Sequence, residues 1–417
     1  MSLTAAPGRW AVVAVFLVAY WLSFFYRSTN AVIADDLARD VGLGPGALGL
    51  MTSLFFLAFA AVQLPLGSAL DRFGARFVTP GLLLAAVAGS LVFSLATDVV
   101  VLALGRALIG VGMAGVLMGA LHAFASRFDP RSFATVSSTF VGVGSLGALV
   151  AATPLAWLVG AIGWRAVFAW GALVIAGAAT AIAVVAREPQ RGRPAPTPSV
   201  AAAAGSAAGV SVGFGQVFRS VAFWRVALLT FAVTGGLFAW QGLWAGPLLT
   251  RGLGLAQLPA ANVLLAFGLG VTGGFLGSGA LALRLGVPRT LALGGAVFLA
   301  CLVTWSVVTS AWPLAALTAL AVLTGISGAS NVLGYALARS AFPHMPGRAV
   351  TAVNLFGIGG GALLQWGLGA LVGAFAAAGG GGELNAFRAA LLVTAAMVAL
   401  ALIGFAPLAR GAREPGS

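Results

Sequence analysis

The stretch Gly67-Ser-Ala-Leu-Asp71-Arg72-Phe-Gly74 follows a long apolar run. A similar stretch, Gly279-Ala-Leu-Ala-Leu283-Arg284-Leu-Gly286, follows an apolar run in the second half of the chain. Glycine-rich segments that start at Gly142 and at Gly357 repeat at nearly the same separation. Two motifs that recur with one offset, each at the same place relative to its apolar runs, indicate two copies of one unit.

The composition of the 417 residues places both copies in a membrane. Hydrophobic residues make up 60% of the chain, charged residues 7%, and the mean hydropathy is +1.05. A soluble domain has about 25% charged residues, so this chain cannot cover a water-facing surface. Because lipid offers no hydrogen-bond partners to open strand edges, the spanning elements are predicted to be helices. The predicted fold class is therefore an all-α membrane protein.

Apolar runs between charged or Gly/Pro breaks predict twelve transmembrane helices in two pseudo-symmetric six-helix bundles. Between the two sets, residues 187–219 contain four arginines, four prolines and an Ala/Gly/Ser tract, which predicts a solvated linker. The predicted domains are an N-terminal bundle at 1–186, a cytoplasmic linker at 187–219 and a C-terminal bundle at 220–417. The predicted spans lie near 10–34, 47–69, 77–97, 99–124, 132–159, 164–186, 222–250, 258–283, 288–309, 312–338, 348–376 and 386–409.

The formal charge of +13 reflects topology and not nucleic-acid binding. All 22 basic residues are arginine, and sixteen of them fall on one side of the predicted bilayer while four fall on the other. Because cytoplasmic loops carry the excess of basic residues, we predict that both termini are cytoplasmic in a bacterial inner membrane. The single cysteine, Cys301, leaves no partner for an internal disulfide.

Two parallel repeats of six helices joined by a charged linker resemble the major facilitator superfamily of transporters. The stretch Gly67-x-x-x-Asp71-Arg72-x-Gly74-x-Arg76 matches the loop motif of that family between helices two and three. The resemblance implies a monomeric secondary transporter that works by alternating access, with no enzymatic activity and no cofactor. Asp71, Arg72, Gly74 and Arg76 are the predicted gating residues, which would latch the outward-facing state. An ordinary positive-inside loop is the alternative.

Arg27 lies inside the first predicted span, where a charge is expensive. Tyr20, Ser23, Arg27 and Asn30 share one helical face at helical spacing. The segment Tyr26-Arg27-Ser-Thr-Asn30 resembles the Arg-x-x-Asn of organophosphate and organic-anion transporters of this superfamily, in which the arginine holds a carboxylate or phosphate. A purely structural arginine is the alternative.

The same superfamily lines its central cavity with helices one, four, seven and ten. Arg106-x-x-x-Gly110-x-Gly112 in the fourth helix resembles another family signature, and its arginine marks either a polar cavity or a structural hydrogen-bond hub. The seventh and tenth helices carry polar rows at helical spacing: Thr230, Thr234, Gln241 and Trp244, and Thr324, Ser327, Asn331 and Tyr335. The predicted substrate-binding residues are Tyr20, Arg27, Asn30, Arg106, Gln241, Trp244, Asn331 and Tyr335.

The nine acidic residues all fall at or near the predicted ends of spans. Exporters of cationic drugs usually need a membrane carboxylate, so the predicted substrate is a small organic anion, a carboxylate or a phosphate-bearing metabolite, with a proton or a counter-substrate as the coupled partner. A neutral aromatic metabolite such as a vitamin, bound in a Trp- and Phe-rich cavity, is the first alternative. Copper import through Met113, Met118 and His122 is the second.

Overall fold

The structure is a computed structural model that describes residues 8–187, 217–343, 346–378 and 382–411. Within these ranges the chain is helical and contains no strand. The predicted linker, residues 187–219, lies outside the described residues except for its two ends, so the division of the chain into domains stays a prediction.

The helices of the first half follow one another with short breaks. They are α1 (Arg9–Ser28), α2 (Asn30–Val41), α3 (Pro45–Phe73), α4 (Ala75–Ser94), α5 (Val99–Ala114), α6 (Val116–Ala125), α7 (Pro130–Ser145), α8 (Gly147–Val150) and α9 (Thr153–Val185).

The second half differs by two π-helical segments, Trp240–Trp244 and Leu248–Gly252, and a 3-10 turn, Ser330–Val332. Its α-helices are α10 (Val221–Ala239), α11 (Ala245–Pro247), α12 (Gln257–Leu285), α13 (Val287–Val307), α14 (Leu314–Ala329), α15 (Leu333–Ala341), α16 (Pro346–Ala377) and α17 (Glu383–Gly411).

The predicted all-α membrane fold is confirmed. In the described residues, 11 helical runs are long and apolar enough to cross a membrane, and a shorter apolar helix covers Thr139–Val150. Helix α9 contains a non-helical residue, Gly163 (φ 78°, ψ 155°), so it consists of two helices joined at a sharp bend. The part before Gly163 belongs to the fifth predicted span and the part after it to the sixth. The described helices therefore match the twelve predicted spans.

The repeat seen in the sequence is also present in the backbone. Gly74 (φ 74°, ψ 160°) separates α3 from α4, and Gly286 (φ 79°, ψ 152°) separates α12 from α13 in the same way. A side chain is strained at such a positive φ, whereas glycine is not. Both copies thus need glycine at this position because the chain makes the same tight reversal between two spans.

The two halves meet at the end of the bundle that carries Asp35, here called the Asp35 end. Arg251, in the π segment after α11, forms an ion pair with Asp35 of α2. Thr153 donates a hydrogen bond to Asn262 Oδ1 at 2.7 Å, and Gln257 donates to Asp36 at 3.3 Å. These contacts join first-half helices to second-half helices, so the structure is closed at the Asp35 end.

The predicted gating residues lie at the opposite end, here called the Asp71 end. Asp71 and Arg72 are exposed, and neither forms a hydrogen bond with the described part of the second half. Arg76 Nε donates to the carbonyl of Ala183 at 2.9 Å, which ties α4 to α9 within the first half. The latch is therefore not engaged in this conformation, and its role stays a prediction.

We expect Asp71→Asn to slow transport and to leave equilibrium affinity for the substrate within a few-fold. The carboxylate would act only when the Asp71 end closes, so its loss would change the rate of conversion and not the binding site. Initial uptake rates and binding isotherms measured on the same preparation check this. Asp129→Asn, which removes one charge from the loop before α7, is the control. Transport at the wild-type rate would mean that the motif only sets topology.

Candidate functional site

Arg27 lies in the last turn of α1 and is partly buried among aromatic rings. Its guanidinium carbon is 5.0 Å from the ring centre of Phe24, 5.9 Å from Phe56, 5.5 Å from Phe59 and 5.4 Å from Phe238. Each such contact contributes roughly 0.5–2 kcal/mol, more where water is excluded. The rings come from α1, α3 and α10, so the guanidinium stands where both halves meet.

No described residue forms a hydrogen bond or an ion pair with Arg27, and its Nε is buried without a partner. A buried guanidinium normally finds a carboxylate or several carbonyl oxygens, because its charge is costly to desolvate. Cation–π attraction compensates part of this cost but uses none of the five N–H donors. The donors of Arg27 are therefore open to a partner of complementary charge.

Tyr20 in the first half and Tyr335 in the second half lie within electrostatic range of the Arg27 guanidinium. Tyr20 stacks on Phe140 with ring centres 5.0 Å apart and interacts electrostatically with Arg27. Tyr335, in α15, also interacts electrostatically with Arg27, and its hydroxyl donates to Asn354 Oδ1 at 2.9 Å. Three of the predicted substrate-binding residues are thus neighbours across the interface between the halves.

The predicted asparagines bond to adjacent helices. Asn30 is fully buried, and its Nδ2 donates to Thr52 of α3 at 2.7 Å, while its Oδ1 is buried without a partner. Asn331 Nδ2 donates to Thr234 at 2.8 Å, joining the 3-10 turn to α10. Both amides therefore fix the relative position of helices that line the Arg27 site.

Arg106 is fully buried and lies behind the site. Its Nη1 donates to the carbonyl of Tyr26 at 2.8 Å, and its guanidinium carbon is 5.2 Å from the ring centre of Phe55. The Tyr26 hydroxyl is in turn hydrogen-bonded to Ser90 at 2.8 Å. This geometry is that of a structural hub, which holds the end of α1 and so positions Arg27. Contact of Arg106 with substrate stays a prediction.

The two predicted residues of the seventh span lie in a π-helical segment. Gln241 is partly buried, and its amide nitrogen lies 3.8 Å from the position that a Cβ would take at Gly268. Trp244 is buried, and its Nε1 donates to the carbonyl of Gln365 at 3.0 Å. Its ring also packs close to Gly49 of α3. Trp244 therefore belongs to the closed Asp35 end, apart from the rings around Arg27.

Most of the residues that surround Arg27 were not predicted from the sequence. The chain has 27 phenylalanines, and the sequence does not distinguish these four from those that face lipid. Gln365 was also missed: it is fully buried, and its Nε2 donates to the carbonyl of Phe238 at 3.2 Å. A polar side chain in the middle of the eleventh predicted span was the available signal for Gln365.

Two helical halves, closed against one another at one end and holding an unpaired cation between them, are the architecture of a membrane transporter. Residues 16–365 match the sequence profile of the Major Facilitator Superfamily, and the chain belongs to this family. Members of this family are transporters and not enzymes, which is the class that the sequence predicted.

The similar proteins include carriers of anions. The chain is 31% identical over 169 residues to the probable galactarate/D-glucarate transporter GudP of Bacillus subtilis (strain 168), a match of 38% of this chain and 36% of that protein. It is 29% identical over 163 residues to the probable sulfoacetate transporter SauU of Cupriavidus necator, covering 38% and 37% of the two chains. The chain thus aligns with less than half the length of these relatives.

The fold as a whole matches a solved transporter structure. A bacterial homologue of the human lysosomal transporter Spinster, in an inward-facing and unoccupied conformation, superposes with a TM-score of 0.73 at 19% identity. The superposition covers 99% of this chain and 100% of that one, so the similarity extends over all the spans.

Proposed function

We propose that this protein moves a small organic anion across a bacterial inner membrane, with Arg27 as the residue that binds the anionic group. The observation that carries the proposal is the unpaired guanidinium between the halves. A carboxylate or phosphate would supply the partner that the described protein groups do not, and it matches the planar fork of donors bidentately.

The proposed mechanism is alternating access around this site. The contacts at the Asp35 end block one route, while the exposed Asp71 motif leaves the other end without its latch. With both termini in the cytoplasm, as the arginine distribution predicts, this conformation faces inward. Rocking of the halves would break the Asp35–Arg251 ion pair and bring the Asp71 motif into contact with the second half.

The relatives support an anionic substrate. GudP is named for the transport of galactarate and D-glucarate, and SauU for that of sulfoacetate, and all three compounds are organic anions. The described residues contain no group of three or more His, Cys, Asp or Glu side chains that could hold a metal ion. The copper alternative therefore rests only on Met113, Met118 and His122 in α5 and α6.

A thermal-shift screen of the purified protein tests the proposed substrate class. Anionic, neutral aromatic and copper ligands are compared at matched concentrations, because a ligand that binds only the folded state raises the melting temperature. Stabilisation by anions, lost in Arg27→Gln, supports the proposal. Stabilisation by neutral aromatic compounds that Arg27→Gln leaves unchanged would favour the first alternative.

We expect any coupling to protons to use the acidic residues at the Asp35 end. Burial raises the pKa of Asp36, although Arg39 opposes this, so Asp36 takes up a proton at a higher pH than an ordinary aspartate as pH falls. Asp35 and Asp36 both contact the second half. We expect either no accumulation driven by a pH gradient or accumulation that is lost in the double variant Asp35→Asn/Asp36→Asn. Uptake by proteoliposomes under an imposed gradient measures it, and strong accumulation in the double variant would contradict the prediction.

A further inference from the structure

The wall around the Arg27 guanidinium consists of phenyl rings from three helices. Phe24, Phe56, Phe59 and Phe238 lie with their ring centres 5.0 to 5.9 Å from the guanidinium carbon. Phe56 and Phe238 also stack on one another across the two halves, with centres 5.5 Å apart and planes inclined by 22°. Such a flat apolar surface favours a planar apolar group beside the charge.

The site supplies one accessible positive charge. Arg106, which also lies well inside a described span, is 0% exposed, and its Nη1 already donates to the Tyr26 carbonyl. A dianion bound at Arg27 would have to desolvate its second carboxylate beside phenyl rings without a cation, which is unfavourable. The charge balance of the site therefore favours a monoanion.

Two pairs of polar side chains near the site already bond to one another. Asn331 donates to Thr234 at 2.8 Å, and the Tyr335 hydroxyl donates to Asn354 at 2.9 Å. A polyhydroxylated substrate needs a protein partner for each hydroxyl that it removes from water. Binding such a molecule would break these internal bonds, whereas an apolar body leaves them intact.

We propose that the substrate is a monoanion with a planar aromatic body, an aromatic monocarboxylate. The inference rests on the proposed anion site at Arg27 and narrows its substrate class. The carboxylate meets the edge of the guanidinium, because the negative faces of the phenyl rings repel an anion. The aromatic ring then packs on the stacked pair Phe56 and Phe238. This specificity differs from that of the relatives named for galactarate and D-glucarate, which are polyhydroxylated dianions.

Titration calorimetry on the full-length purified protein compares four probes that separate charge from shape. Benzoate carries both ring and charge, acetate the charge alone, benzamide the ring alone, and D-glucarate two charges and four hydroxyls. We expect benzoate to bind at least about 10-fold more tightly than each of the other three, the size of effect that ring packing or a charge-assisted contact gives.

Removing the rings tests the wall directly. In Phe56→Leu/Phe238→Leu, apolar side chains remain but the stacked pair is lost, so the preference for benzoate over acetate should shrink to within a few-fold. Phe405→Leu makes the same change at a fully buried ring of α17 and serves as the control, with the preference retained. If the double variant still prefers benzoate over acetate as strongly as the wild type does, Phe56 and Phe238 do not bind the aromatic ring and the proposal is overturned.

The outcomes distinguish this inference from the proposed function. If acetate or D-glucarate binds as tightly as benzoate and loses affinity in Arg27→Gln, the anion site stands and the aromatic monocarboxylate is rejected. If benzamide binds as tightly as benzoate and Arg27→Gln changes neither, the anion site itself is rejected. Failure of all four probes to bind also overturns the inference.

Discussion

Arg27→Gln should weaken binding of the anionic substrate by roughly 10- to 150-fold while the protein still inserts and folds. The variant loses a charge-assisted contact of about 1.5–3 kcal/mol, and no hydrogen bond or ion pair to the described part of the protein is lost with it. It also loses the cost of placing a charge within a span, about 2.5–3.5 kcal/mol at its centre. Calorimetry with the ligand that the thermal-shift screen identifies measures the change.

Arg27→Lys separates charge from geometry at the same position. Lysine keeps the positive charge and can still lie over the phenyl rings, but it lacks the planar fork that binds a carboxylate bidentately. We expect its affinity to fall between those of the wild type and Arg27→Gln. Unchanged affinity in Arg27→Gln would reject the anion site, and a melting temperature that collapses in both variants would instead show that Arg27 is structural.

Gly246→Ala should prevent closure of the Asp35 end and abolish most transport. Gly246 of α11 packs against the backbone of α2, where an added Cβ would come within 2.7 Å of the carbonyl carbon of Ala31 and 3.3 Å of its Cα. Backbone atoms cannot rotate away as a side chain can. Overpacking of this kind costs about 1–3 kcal/mol, which shifts the equilibrium toward the state open at the Asp35 end by roughly 5- to 150-fold.

This shift toward the open state can be measured as a distance between two exposed labels, one on each half, at the Asp35 end. Spin labels at Arg39→Cys in α2 and Leu258→Cys in α12, in a Cys301→Ala background, report the separation of the halves. Gly246→Ala should lengthen this distance. Gly367→Ala is the matched control, because a Cβ there meets nothing within 4 Å. An unchanged distance in Gly246→Ala would mean that α2 and α11 accommodate the added methyl group by a local shift, and that the Asp35 end still closes.

The ion pair at the Asp35 end is expected to stabilise the closed conformation only weakly. The Arg251 and Asp35 side chains are 25% and 28% exposed, so water screens the pair. A partly solvated pair of this kind contributes about 1 kcal/mol or less. We therefore expect the ion pair mainly to orient the two halves.

The sequence by itself determined the membrane class, the number and order of the spans and the internal repeat. These features depend only on the local sequence of each segment. A span must be apolar along its whole length, because lipid does not solvate charges. The positive φ at Gly74 and Gly286 is likewise local, since it is a constraint on one backbone position. Arg27 could be singled out because a charge within such a run has no local explanation.

Only the tertiary structure decided what surrounds Arg27. Its rings come from three helices, and which faces meet depends on how those helices are rotated and packed, which no single segment encodes. The polar row of the seventh span was predicted at α-helical spacing, but the chain is π-helical at Trp240–Trp244. A π turn inserts one extra residue and so rotates the following side chains by about 100°. Phe238, just before the π turn, faces the guanidinium, while Trp244, at its end, packs against Gly49 of α3.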